Sequence, residues 1–158
     1  MKLKSWVPVK SLIVISLLLI LIIPIGIVIY YFQPIVVKGV VDHKTLVGVK
    51  NGNAKTLLMI TPYGIIINDE SVKSYVSGGD ILYEELIRNI SRYYDEVYCT
   101  ISIRVSTNDP LNNLGPGETL AYIADAKYFS LLDIGSKVEF VITRLDPLKI
   151  SRVISVEK

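Results

Sequence analysis

The first apolar pattern in the chain has no period. From Leu12 to Tyr31, twenty residues pass without a charge, interrupted only by Ser16, Pro24 and Gly26. At about 1.5 Å per residue, a helix of that length covers roughly 30 Å, the thickness of a bilayer's hydrocarbon core. Hydrocarbon offers no partner to free backbone groups, so a helix is expected there. Trp6 before the run, and Tyr30, Tyr31 and Phe32 at its end, suit the two membrane interfaces. A cleaved signal peptide would have a shorter apolar stretch and a small-residue cleavage site. Here the run closes on Tyr-Tyr-Phe-Gln-Pro instead. Residues 11–32 are therefore expected to form an uncleaved transmembrane helix behind a basic tail at residues 1–10.

Beyond Gln33-Pro34 the pattern changes to that of a folded domain, residues 33–158. Ile35 to Val41 is β-branched and predicts a strand. Asp42-His43-Lys44 reads as a polar turn, and Thr45 to Lys50 as a second strand. Asn51-Gly52-Asn53 holds the residues that tolerate positive φ, so a tight hairpin should follow. Lys55 to Thr61 and Ile65 to Ile67 are the next strands, with a turn at Pro62-Tyr63-Gly64. Asp69 to Tyr75 predicts a helical turn. Asp80 reads as the N-cap of a helix reaching about Tyr94. Its apolar stripe is Leu82, Tyr83, Leu86, Ile87, Ile90 and Tyr94, and Glu84 and Arg88 form an i,i+4 pair on the other face.

Val97 to Val105 alternates with period two, which predicts a half-buried strand. Ser106 to Gly117 is the longest loop. Strands are then expected at Glu118 to Lys127, Lys137 to Arg144 and Ile150 to Val156. The fold class is thus a single N-terminal transmembrane helix plus a mainly-β (α+β) domain. A small barrel or a curved sheet of about eight strands, with one packed helix, is the expected architecture.

Charge divides along the same boundary. The net charge of +2 arises from 17 basic and 15 acidic residues. Lys2, Lys4 and Lys10 precede the helix, which places the N-terminus in the cytoplasm and the domain outside. The domain itself is then close to neutral and has no electrostatic footprint for nucleic acid. Abundant Ile and a single Gln, Gln33, fit a hot-living prokaryote, an archaeon above all.

Chemistry is sparse. His43 is the only His and Cys99 the only Cys. Copper electron-transfer, covalent haem and structural zinc sites need more of both, so neither a metal nor a cofactor is expected. Asn68, Asp69 and Glu70 could at most suggest an oxygen-ligand cation site. His43 reads as a surface residue of a turn without a role, and Cys99 as a buried, inert thiol. No Gly-x-Ser-x-Gly elbow occurs. Signal peptidases carry a serine just outside their membrane helix, and the same place here reads Tyr31-Phe32-Gln33-Pro34-Ile35, without one.

What remains is an interaction protein, not an enzyme. The expected function is a membrane-anchored accessory or assembly protein whose outer domain docks on a membrane or cell-surface protein. Leu111, Leu114 and Pro116 in the long loop are the expected contact residues. The alternatives are a small-ligand or glycan binding module with a barrel mouth lined by Tyr, and a hydrolase with a dispersed carboxylate pair. Asn89-Ile90-Ser91 matches the N-glycosylation sequon, placed unfavourably in mid-helix.

Overall fold

The computed structural model describes residues 9–76 and 83–158, with the side chains of the first helix described from Ser16 onward. The chain divides into two compact units, Met1–Gln33 and Pro34–Lys158.

The first unit holds helix α1, Val9–Phe32, 24 residues with Pro24 inside it. Its side chains from Ser16 to Phe32 are exposed. Among the described residues, no helix is long and apolar enough to cross a membrane.

The second unit is built on strand β1, Pro34–Lys50, 17 residues long. The others are β2 (Asn53–Thr61), β3 (Gly64–Ile67), β4 (Glu96–Val105), β5 (Thr119–Ala124), β6 (Lys137–Thr143) and β7 (Arg152–Glu157). Short helices α2 (Glu70–Val76), α3 (Tyr83–Ile90) and α4 (Ala126–Leu131) complete the unit. All strand pairs are antiparallel. The main path is β3-β2-β1-β4-β5. One edge of β1 pairs with β4, while the other is shared, β6 taking residues 34–40 and β2 taking residues 44–50.

The sheet is open, which corrects the barrel alternative. Only one parallel bridge, Ile123 to Lys149, ties β5 to the segment before β7. One bridge is not a ladder, and the chain then turns to pair with β6. The described residues form seven strands rather than eight, because the two strands expected at 35–41 and 45–50 are one. The polar triplet Asp42-His43-Lys44 is absorbed by a β-bulge: Val41 faces Ile103, His43 faces Ser102, and Asp42 has no partner on β4. The inward parity therefore switches. Val37, Gly39 and Val41 are buried before the bulge, and Lys44, Leu46 and Gly48 after it.

Both expected hairpin turns form. Asn51 and Gly52 have φ of 52° and 76°, the left-handed pair that a two-residue hairpin needs. Pro62 and Tyr63 link Thr61 to Gly64.

The helices depart further from expectation. Asp80, Leu82 and the Glu84 side chain lie outside what is described; Arg88 stands 4.0 Å from Glu85. Helix α3 ends at Ile90, not near Tyr94. Tyr94 lies against Gly48, so close that a β-carbon there would come within 2.7 Å of its ring. A strand was expected to run to Lys127, but β5 stops at Ala124 and α4 begins. The Asp125 carbonyl accepts the Tyr128 and Phe129 amides there, and Phe129 is buried. Six residues are too few for a helical period to show in the sequence. The core gathers Val37, Leu46, Leu58, Ile101, Ile103, Tyr122, Phe129, Phe140 and Ile142, all buried.

Candidate functional site

The bulge in β1 brings three polar side chains into line. Alternation would send Asp42 and His43 to opposite faces. With the extra residue, both lie on the face away from Val41 and Lys44. Ser102 points to that same face, since Ile101 and Ile103 on either side of it are core residues. The Ser102 hydroxyl is 2.9 Å from His43 Nε2, and His43 Nδ1 is 3.2 Å from Asp42 Oδ2. A hydroxyl, an imidazole and a carboxylate thus stand in line. Ser102 is only 3% exposed. Its strand is paired on both edges, to His43 and to Ala121, so the amides beside it are ladder amides. A cavity of about 420 Å³ opens next to Asp42, bordered by Thr61, Pro62, Arg104 and Ile134.

On the opposite face, Lys44 is buried at 5% exposure. Its ammonium donates to the Phe129 carbonyl at 2.8 Å. It also lies 5.3 Å from the Tyr83 ring centre and 5.1 Å from that of Phe129. The two rings meet edge to face at 4.9 Å. Burial pulls the Lys44 pKa below its ordinary value, opposed by the charges of Asp133 and Cys99. Burial likewise pushes the Cys99 thiol up to about 12, against the pull of Lys44. A thiol that weakly acidic is a poor nucleophile.

The long loop is fastened from within by Asp109, which is fully buried. Its carboxylate accepts the Tyr122 hydroxyl at 2.5 Å and Asn112 Nδ2 at 2.7 Å. The amides of Leu111 and Asn112 donate to it at 3.1 and 3.3 Å. Leu111 and Leu114 are half-buried and pack against the core, while Pro116 is exposed. The loop therefore brings the three expected contact residues onto one compact turn but turns its two leucines inward. Burial and the bond to Asp109 push the Tyr122 phenol well above its ordinary value.

Asp69 is engaged by Lys55 at 2.6 Å, Tyr94 at 2.7 Å and the Ser71 amide at 3.0 Å. Burial pushes its carboxyl up, and these bonds outweigh it, holding the group well below the usual carboxylate range. Among the described residues, no group of three His, Cys, Asp or Glu could hold a metal ion. Asn89 is half-buried in α3, and Ser91 of its sequon donates to the Ile87 carbonyl at 2.7 Å. An open sheet has no barrel mouth for tyrosines to line: Tyr122 is in the core, and Tyr83 and Tyr94 pack against it.

The feature that sequence reading passed over is the sheet edge. Among the described residues, β3 pairs with β2 alone. Its Ile65, Ile66 and Ile67 are 47%, 50% and 36% exposed, and Tyr63 at its start is 99% exposed. From Pro62 to Ile67 there is no charge. Native sheets ordinarily blunt such an edge with charge, proline or cover. The signal was present in the sequence as three consecutive isoleucines, a run that alternation cannot bury on one face.

No protein-family model matches the chain, and no curated protein or solved structure matches it either.

Proposed function

We propose that the protein is a single-span membrane protein whose β-rich domain docks on a partner membrane or cell-surface protein, as an accessory or assembly factor. The observation that carries this reading is the outer edge of β3, which no strand among the described residues pairs. An extended strand of the partner, added antiparallel to β3, would pair its free backbone groups and cover Ile65, Ile66 and Ile67. This edge replaces the long loop as the favoured contact, because Leu111 and Leu114 already serve the core. The anchor reading draws on the 24-residue length of α1, about 36 Å of helix, and on its uncharged sequence from Leu12 to Tyr31. The lysines at positions 2, 4 and 10 favour a cytoplasmic N-terminus and an outer domain.

The test is purification of the full chain from its native membranes in mild detergent, beside Ile66→Lys. The reading predicts a stoichiometric complex for the wild type and a free chain for the variant. A wild type that runs alone, or a complex indifferent to Ile66→Lys, contradicts it.

A second reading rests on the Ser102–His43–Asp42 line, whose order matches that of a nucleophile, a base and an orienting carboxylate. Ser102 Oγ would attack an ester carbonyl and pass its proton to His43 Nε2, which gives it to the departing alcohol; water, deprotonated by His43, would then cleave the acyl-serine to the acid and restore the hydroxyl. The burial of Ser102 and the paired amides beside it argue for a cross-strand clamp instead. A fluorophosphonate probe separates the two: labelling lost in Ser102→Ala supports a hydrolase, and no labelling supports the clamp.

A further inference from the structure

Two strands share one edge of β1 and leave a gap between them. β6 pairs with residues 34–40 and β2 with residues 44–50, so neither runs beside Val41, Asp42 and His43. The turn before β6 reaches into this gap. There the Val41 amide donates to the Ser136 carbonyl at 3.0 Å, and the Gly135 amide to the Val41 carbonyl at 2.8 Å. The cavity of about 420 Å³ opens at the fork, and its walls belong to the Pro34–Lys158 unit.

The walls carry one charge of each sign. Arg104 on β4 is the register partner of Val40, and Asp42 is its diagonal neighbour on β1. Diagonal neighbours stand roughly 7–8 Å apart, within reach of a side chain as long as arginine. The two nevertheless form no ion pair, and among the described residues the Arg104 guanidinium has no hydrogen-bond partner. Asp42 gives one carboxylate oxygen, Oδ2, to His43 at 3.2 Å. A carboxylate accepts about four bonds, so most of its capacity remains. Thr61, the other polar side chain of the lining, is spent within its own turn. Its hydroxyl donates to the Gly64 carbonyl at 3.0 Å and accepts the Tyr63 amide at 3.2 Å. Val40 and Ile134, both half-buried, and Pro62 supply apolar wall between the charges.

Charge complementarity selects the ligand. A simple anion gains Arg104 but faces Asp42, and a simple amine meets the reverse. A neutral sugar would strip water from both charges and neutralise neither. A zwitterion satisfies both at once. The volume lies near the lower end of the roughly 300–1,000 Å³ of small-molecule sites, which suits a single amino acid.

We propose that the fork binds a free aliphatic α-amino acid. Its carboxylate accepts paired bonds from the Arg104 guanidinium, its ammonium donates to Asp42, and its side chain lies on Val40, Pro62 and Ile134. The site asks nothing of α1 or of the β3 edge, so it stands or falls apart from the docking reading.

The test is titration calorimetry of the full chain in detergent with L-leucine, L-isoleucine and L-valine. At least one should bind saturably below about 10 mM. 4-Methylpentanoate, which lacks the ammonium, and 3-methylbutylamine, which lacks the carboxylate, should each bind at least roughly tenfold more weakly than L-leucine. Arg104→Gln, at an exposed position, should keep the wild-type circular dichroism and weaken amino-acid binding at least roughly tenfold. Arg152→Gln, on β7, should leave it unchanged. No saturable binding by any of the three amino acids overturns the proposal. So does a 4-methylpentanoate that binds as well as leucine, or an affinity that survives Arg104→Gln.

Discussion

Replacing Asp109 with Ala is the perturbation whose size the structure sets most closely. The carboxylate is fully buried and accepts from Tyr122, Asn112 Nδ2 and two loop amides. Its removal leaves the Tyr122 hydroxyl, on a side chain with 0% exposure, without its acceptor. One orphaned buried donor costs about 1–3 kcal/mol. The Leu111 and Asn112 amides belong to half-buried residues and recover part of their bonding from water. The vacated space adds a packing loss, for a total of about 3–5 kcal/mol. In a domain of this size that is a drop in Tm of about 10–20 °C. Tyr122→Phe removes one donor, leaves the carboxylate its other three, and should cost about 1–2 kcal/mol. The assay is thermal unfolding of the full chain in detergent by circular dichroism, with amide hydrogen exchange across residues 106–117. An Asp109→Ala protein within about 1 kcal/mol of wild type, its loop amides still protected, would refute the reasoning.

Two further perturbations address the charged groups. Lys44→Met should be neutral or stabilising at pH 7, since it removes a buried ammonium at the loss of one bond to Phe129. The Lys44 pKa is lowered on folding, so between that value and 10.5 the folded protein binds fewer protons than the unfolded chain. Wild-type stability should therefore rise with pH in that window relative to Lys44→Met, and chemical denaturation at a series of alkaline pH values checks it. Asp69 has its pKa lowered below 3.8, so it stabilises the fold above about pH 4 and loses that contribution as pH falls. Asp69→Asn should cost about 1–3 kcal/mol at neutral pH and flatten the acid limb of the stability curve, measured by urea titrations from pH 2 to 7.

The hairpins and β4 were legible because local chemistry decides them. Asn51-Gly52 admits few other conformations, and Val97 to Val105 alternates without a break. The bulge was not legible. After Val41, the first inward position belongs to Lys44, and a lysine disguises a change of parity as a turn. The Ser102–His43–Asp42 line was hidden for the same reason: its serine lies about sixty positions from the other two, and only the bulge turns Asp42 towards His43. Leu111 and Leu114 drew attention because they are apolar within a long polar loop. Their fate was set by Asp109, whose bonds to Tyr122 and Asn112 close the loop upon the core. At β3 the isoleucines were read as a strand, but its place at the edge depends on which strand pairs beyond it.

The central claim is that a partner adds to the β3 edge. Its most direct measurement places a photo-reactive benzophenone residue at Ile66 in the full chain, with Lys127 on α4 as the control position, and irradiates native membranes. The account predicts one discrete, heavier adduct to a second protein from position 66 and none from position 127. Adducts to lipid alone, to a second copy of the chain, or equally from both positions would contradict it.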